Sequence, residues 1–242
     1  MDNWQCRTEL LLGHKAMDKL RSSRIAVIGL GGVGGAAAEA LCRAGIGSLL
    51  LFDHDTISAS NLNRQLFATR DTIGLPKTQA ARERLMSINP DCELLIEESF
   101  YSAENRAPLL AYRPDFVLDA IDTVSAKLDL AVLCREQGIS SVICLGTGNR
   151  LDPSAFRVGD ITDTAGCGCG LARVMRRELK KRGITRQPVV YSTEPPMTAV
   201  CPDSENGRHA PASISFCPPA AGCLLAGYAV RCLISHEKEE NI

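Results

Sequence analysis

Short apolar runs alternate with longer amphipathic ones through the first 146 residues. Runs of four to six residues predict strands at Ile25–Gly29, Ser48–Asp53, Leu94–Glu97, Phe116–Ala120 and Ser141–Leu145. Between them, apolar positions at helical spacing predict helices at Val33–Ala44, Lys77–Ile88, Ala103–Ala111 and Ser125–Gln137. A further helical segment, Thr8–Leu20, precedes the first strand. Strand and helix in strict alternation imply right-handed crossovers and a mainly parallel sheet with flanking helices.

The rhythm changes after Gly146. Strands are expected at Ala155–Ile161 and Pro188–Thr193, and a helix at Leu171–Arg182. The segment Pro195–Ala212 is rich in Pro, Ser, Asn and Gly and reads as a mobile loop. Pro218-Pro219 opens a last helix, Ala220–Ser235, whose small residues suit close packing. The expected fold class is α/β and Rossmann-like. A single domain spans 1–242, with a nucleotide-binding core at 24–146 and a substrate- and dimer-facing extension at 147–242.

Composition adds bounds rather than an identity. The 242 residues are 45% hydrophobic and 23% charged, enough for a substantial core. The formal net charge of -1 means that any nucleic-acid surface must come from local clustering. The N-terminus is polar, and the apolar run Ala220–Val230 is short for a bilayer and stops at Arg231. A cytoplasmic protein without a membrane partner is expected. There are 11 cysteines and no C-x-x-C pair, so they read as mostly buried thiols rather than a paired-cysteine zinc site.

The sharpest local signal is Arg24-Ile-Ala-Val-Ile-Gly-Leu-Gly-Gly-Val-Gly34. Gly29, Gly31 and Gly34 have dinucleotide-binding spacing: one for the turn, one for close approach of a phosphate, one for helix–strand packing. The helix start that follows favours an anion. Asp53 lies about twenty residues beyond, where an acid that holds ribose belongs. Four more features lie downstream: Asp53-His-Asp55, Ser60-Asn-Leu-Asn-Arg-Gln65, Lys77, and Asp119-Ala-Ile-Asp122. Strand C-termini in a parallel sheet face one crevice, so these should converge. Arg64 forks onto phosphate oxygens, Lys77 is a point charge for a phosphate, and Asp122 is a hard oxygen ligand for Mg²⁺. That set favours ATP over NAD. Taken singly, Asn61 and Asn63 also read as turn formers, Lys77 as a solvated first-turn lysine, and Asp122 as a helix N-cap.

Together these motifs resemble the ThiF/MoeB/ubiquitin-activating-enzyme superfamily of adenylating proteins. The resemblance rests on Gly29-Leu-Gly-Gly-Val-Gly34, Asp53-x-Asp55, Asn61-Leu-Asn-Arg-Gln65, Lys77 and Asp119-Ala-Ile-Asp122. It implies that Gly29, Gly31, Gly32, Gly34, Asp53, Asp55, Asn61, Arg64, Gln65 and Lys77 bind ATP, that Asp122 serves Mg²⁺, and that Arg64, Lys77 and Asp122 are catalytic. It also implies a homodimer in which Arg7 reaches the partner's ATP. Arg7–Gly13, the basic run 171–183, Tyr191-Ser-Thr-Glu194 and Ala210–Phe216 resemble one branch, the tRNA threonylcarbamoyladenosine dehydratases. This branch adenylates the substrate carboxylate and cyclises the modified base. A tRNA bearing threonylcarbamoyladenosine is then the partner. Two other readings stay open: an enzyme activating a ubiquitin-like sulfur carrier, and a non-catalytic nucleotide-binding scaffold. A cysteine desulfurase or sulfur-acceptor partner is also left open.

The basic run can be read on its own. Arg173, Arg176, Arg177, Lys180 and Lys181 recur at helical spacing, opposed only by Glu178, with Val174, Met175 and Leu179 turned to the core. From charge alone it reads as a solvated face. The resemblance makes it a tRNA surface. Cys169 carries little weight as a nucleophile, because no partner base is near it in sequence.

Overall fold

A computed structural model describes residues 4–198 and 211–239, with side chains as far as 235. Seven strands form one sheet: β1 (Arg24–Ile28), β2 (Ser48–Phe52), β3 (Glu93–Glu97), β4 (Phe116–Asp119), β5 (Ser140–Cys144), β6 (Phe156–Asp160) and β7 (Pro188–Ser192). Their order is β3-β2-β1-β4-β5-β7-β6. All pairs are parallel except β6–β7, which closes one edge antiparallel. The register places Ile28 beside both Phe52 and Asp119, and Phe52 beside Glu97. The loops after β1, β2, β3 and β4 therefore leave the sheet at one level. The order reverses between β1 and β4, where an open α/β sheet has its crevice.

The five core strands lie where the apolar runs predict them; β3 ends at the expected Glu97 and the other four end a residue early. Asp53, Ala120 and Leu145 still donate backbone hydrogen bonds to the neighbouring strand, at 2.9–3.1 Å. The N-terminal segment is two helices, α1 (Cys6–Leu12) and α2 (His14–Ser22), broken at Gly13, whose φ is +81°. Then come α3 (Gly32–Ala44), α4 (Lys77–Met86), α5 (Ala107–Tyr112) and α6 (Val124–Glu136). Helix α5 starts four residues later than expected. Ser102 accepts the amides of Glu104 and Asn105 in a turn, and Pro108 then opens the helix.

The sheet is covered on both faces. Ile25 and Val27 face a core built with α3, α4 and the last helix, α8 (Cys217–Glu239). Ala26 and Ile28 face a second core with α5 and α6. A third core joins α6 to β5, β7 and α7 (Gly170–Lys181). Helix α8 begins three residues before the expected start, because both prolines sit in its first turn, where their missing N–H groups cost nothing. Its Cys217–Ser235 stretch reaches the length and apolarity of a membrane span, with mean hydropathy 1.4. Here that apolarity serves the core. Ala221, Leu225, Ala226, Ala229 and Leu233 are buried, and the helix lies along α3. Residues 199–210 of the expected mobile loop lie outside the described residues. The flanks are tied to Asn149: Met197 donates to its carbonyl, Asn149 donates to the Ala212 carbonyl, and Ala212 donates to its Oδ1.

Candidate active site

The loops at the sheet's C-terminal edge enclose a cavity of about 590 Å³. On one wall, the chain leaves β1 through Gly29 at φ +91°, where a Cβ would stand 2.8 Å from the Ala120 carbonyl oxygen. A Cβ on Gly34 would stand 1.7 Å from the Gly29 carbonyl oxygen, so α3 can begin directly against the strand only as glycine. Gly31 caps α3 without a side-chain hydrogen bond. Gly31 and Gly32 line the cavity, so the positive end of α3 faces it.

The opposite wall is acidic and carries one cation. Asp53 is buried and accepts two backbone N–H groups, from Leu30 at 2.6 Å and from Asp55 at 2.8 Å. It thus ties the glycine turn to the end of β2. Lys77 is the first residue of α4 and only 8% exposed, not a solvated lysine. Its Nζ donates to Asp55 Oδ2 at 2.6 Å and lies 3.7 Å from Asp53 Oδ1. Backbone bonds from Lys77 to Asp55 and from Ile57 to Leu75 hold the two loops together. Asp53, His54 and Asp55 have ligand atoms within 4.8 Å of one another. The Lys77 ammonium already sits between the two carboxylates, so this cluster reads as an ammonium seat rather than a metal site.

The Ser58–Gln65 loop forms the next wall. Asn61 is a turn former, because its Oδ1 accepts the Ser58 N–H in a capping box. It also lines the cavity, with Arg64 and buried Gln65. Arg64 Nη1 donates to the Ser60 carbonyl and to Asn63 Oδ1. That holds the guanidinium at the rim. Asn63 donates to the Ser213 carbonyl at 3.1 Å and so joins this loop to the C-terminal segment. Thr147, Gly148, Pro211, Ser213 and Pro218 close the far side. All five belong to the stretch 147–242, beyond the expected nucleotide-binding core at 24–146.

Asp122 lines the cavity with its side chain exposed. It is not the N-cap of α6; that position is Thr123, whose hydroxyl donates to Asp122 at 3.3 Å. An exposed carboxylate facing this cavity suits Mg²⁺, which binds through one or two carboxylates and the phosphates of its substrate. Three residues earlier lies a pair the sequence reading missed. Asp119 and Lys127 are 1% and 0% exposed, and Nζ meets Oδ1 at 2.8 Å. Burial pushes the Asp119 carboxyl above the usual carboxylate range, against the pull of Lys127. The available signal was a lone lysine in the apolar run Ala126–Leu133 of α6.

Other expected residues lie apart from this cavity. Arg7 is exposed on α1 and does not line it. Neither do the cations of α7. That helix buries Ala172, Met175 and Leu179, while Val174 is only half-buried. Arg176 donates to Thr164 Oγ1 at 2.8 Å. Arg177, Lys181 and Arg182 all pair with Glu178. Hydrogen bonds from Lys181, Arg182 and Arg177 pull the Glu178 carboxyl down to about 2. Arg173 and Lys180 are exposed and form no ion pair among the described residues. A second groove, about 650 Å³, includes Glu178 and Arg182 and shares Phe100 and Tyr101 with the first cavity. Cys169 caps α7, its sulfur accepting the Ala172 N–H at 3.4 Å.

The model of the ThiF family matches residues 5–242. A tRNA threonylcarbamoyladenosine dehydratase of Bacillus subtilis is 36% identical over 239 residues, covering 94% of this chain and 93% of the relative. One from Escherichia coli is 37% identical over 204 residues, covering 80% and 75%. The E. coli tRNA N6-threonylcarbamoyladenosine dehydratase crystallised with AMP superposes with a TM-score of 0.89 at 31% identity, covering 99% of this chain and 98% of that one. The same enzyme with ATP gives a TM-score of 0.88, covering 100% and 99%.

Proposed function

The chain belongs to the ThiF family, and on that premise we propose that it is an ATP-dependent tRNA threonylcarbamoyladenosine dehydratase. One observation carries the proposal: the glycine turn, Asp53, Arg64, Lys77 and Asp122 border a single cavity. The near-full-length similarity to dehydratases supports the choice of acceptor.

Asp53 takes the ribose hydroxyls, and the start of α3 takes the phosphates. The substrate carboxylate attacks the α-phosphorus and pyrophosphate leaves, giving an acyl adenylate. Arg64 and Lys77 neutralise the charge that builds on the phosphate oxygens, where preorganised cations act most strongly. The neighbouring substrate nitrogen then attacks the acyl carbon. AMP departs with one original carboxylate oxygen, so the ring closes with net loss of water and no enzyme nucleophile. Asp122 would hold Mg²⁺, which supplies charge neutralisation on the triphosphate. The exposed cations of α7 take tRNA phosphates. A homodimer brings Arg7 to the partner's ATP.

The test is mass spectrometry of anticodon-loop nucleosides after incubating the protein with ATP, Mg²⁺ and threonylcarbamoylated tRNA. Loss of one water from the modified adenosine, matched by AMP, is expected. AMP formation that depends only on a protein with a diglycine tail would instead identify a sulfur-carrier activator.

A further inference from the structure

The buried Lys127–Asp119 pair does not line the cavity, yet it is built into the turn that carries Asp122. We propose that it is the positioning element of the magnesium side of the site: Lys127 holds Asp119, Asp119 tethers the Ala120–Asp122 turn, and Asp122 is thereby held ready for the metal. The inference rests on the reading that Asp122 serves Mg²⁺.

Asp119 Oδ1 accepts two donors, Lys127 Nζ at 2.8 Å and the Ile121 N–H at 3.0 Å. One oxygen therefore joins α6 to the turn. On the other side, Ala120 N–H donates to the Ile28 carbonyl at 2.9 Å. The Ala120 carbonyl fills the space where Gly29 would carry a side chain, and Ala120 Cβ lies 3.2 Å from where Gly34 would carry one. The turn is thus clamped between the glycine loop and a buried carboxylate, with Asp122 next in line at the cavity.

Stability gives little reason to keep such a pair. Two charges removed from water recover their desolvation cost only with excellent geometry and every lone pair satisfied. Here Asp119 Oδ2 is buried without a partner among the described residues. An apolar pair of similar volume would fill the same space. What it would lose is the acceptor for Ile121. Groups that orient a metal ligand from behind typically matter by 10–100-fold in metal affinity.

The experiment compares two neutral double variants. D119N/K127Q keeps an acceptor for Ile121 and a donor to it; D119L/K127M fills the space and keeps neither. ATP affinity is measured by calorimetry in Mg²⁺ and again in EDTA, with melting temperature as the control for folding. D119L/K127M is expected to weaken ATP binding in Mg²⁺ by roughly 10–100-fold and to leave binding in EDTA unchanged. D119N/K127Q is expected to stay within about threefold of wild type in both, because the tether survives. Wild-type affinity of D119L/K127M in Mg²⁺ overturns the proposal, as does an equal loss with and without Mg²⁺. Should the apolar pair not fold, K127M, which removes the donor that holds Asp119, is read by the same titrations: a loss confined to Mg²⁺ supports the proposal and an unchanged affinity overturns it. D122N tests the underlying reading separately. If it leaves Mg²⁺-dependent binding intact, Asp122 is not the metal ligand, whatever the Lys127 variants do.

Discussion

Lys77 gives the sharpest test, because the structure assigns it a structural partner while the proposed chemistry assigns it a phosphate. Its side chain is 8% exposed, and its ammonium serves Asp55 at 2.6 Å and Asp53 at 3.7 Å. K77M leaves two carboxylates facing each other without a cation. Breaking a fully buried pair costs about 3–5 kcal/mol. Asp55 is half exposed, and Asp53 keeps its two backbone N–H donors. The cost should therefore fall to about 1–3 kcal/mol. For a chain of this size that is a fall in melting temperature of roughly 2–12 °C. The catalytic loss should be larger: removing one preorganised stabiliser of transition-state charge costs about 100–1000-fold in rate. The two losses separate in K77M/D55N, which removes the uncompensated charge. This variant should recover most of the melting temperature and almost none of the ATP–pyrophosphate exchange that depends on modified tRNA. Recovery of both, or K77M turnover within about threefold of wild type, would show that Lys77 only holds the loop.

Arg7 and Asp122 test the shared site. R7A and D122A are each expected to be inactive alone, and mixed after subunit exchange they should regain about a quarter of wild-type turnover, because half the mixed dimers' sites are complete; no recovery removes Arg7 from the partner's site. The surface of α7 is tested by salt. R173Q/K180Q should lower the slope of log Kd for tRNA against log salt by roughly 0.7–0.9 per lost phosphate contact, with ATP affinity unchanged. An unchanged slope makes these side chains bystanders. Glu39 tests the frame behind the site. It is nearly buried between Arg43 and Arg84, with bonds of 2.8 and 3.0 Å. Burial pushes its carboxyl up, but the hydrogen bonds and charges of Arg84 and Arg43 outweigh this and leave it below its ordinary value of 4.5. A depressed folded-state pKa means stability that is fully present above the unfolded value and lost as pH falls through the folded one. E39Q should therefore cost about 1–3 kcal/mol at pH 7 by urea unfolding, and the gap from wild type should narrow as pH falls below the ordinary carboxyl value of 4.5. A gap that persists in acid points to packing alone.

What the sequence determined by itself was the part of the fold that depends on neighbours along the chain. Strand–helix alternation, the glycine turn and the acid at the end of β2 follow from backbone geometry and local periodicity. Because parallel strands must present their C-termini on one side, Gly31, Asp53, Lys77 and Asp122 could be assigned to one crevice before any coordinates. Tertiary structure decided the rest, because it turns on which distant side chains meet. Lys77 reads as a solvated lysine until α4 docks beside Asp55. Asn61 and Asn63 carry the same chemistry, but one closes its own turn and the other reaches Ser213, 150 positions away. The far wall of the cavity comes from residues 147–148 and 211–218, which no local pattern connects to the glycine loop. The Asp119–Lys127 pair was hidden for the same reason. A lysine in an apolar helix is an anomaly in sequence, and only the packing of α6 against the end of β4 supplies the carboxylate that explains it.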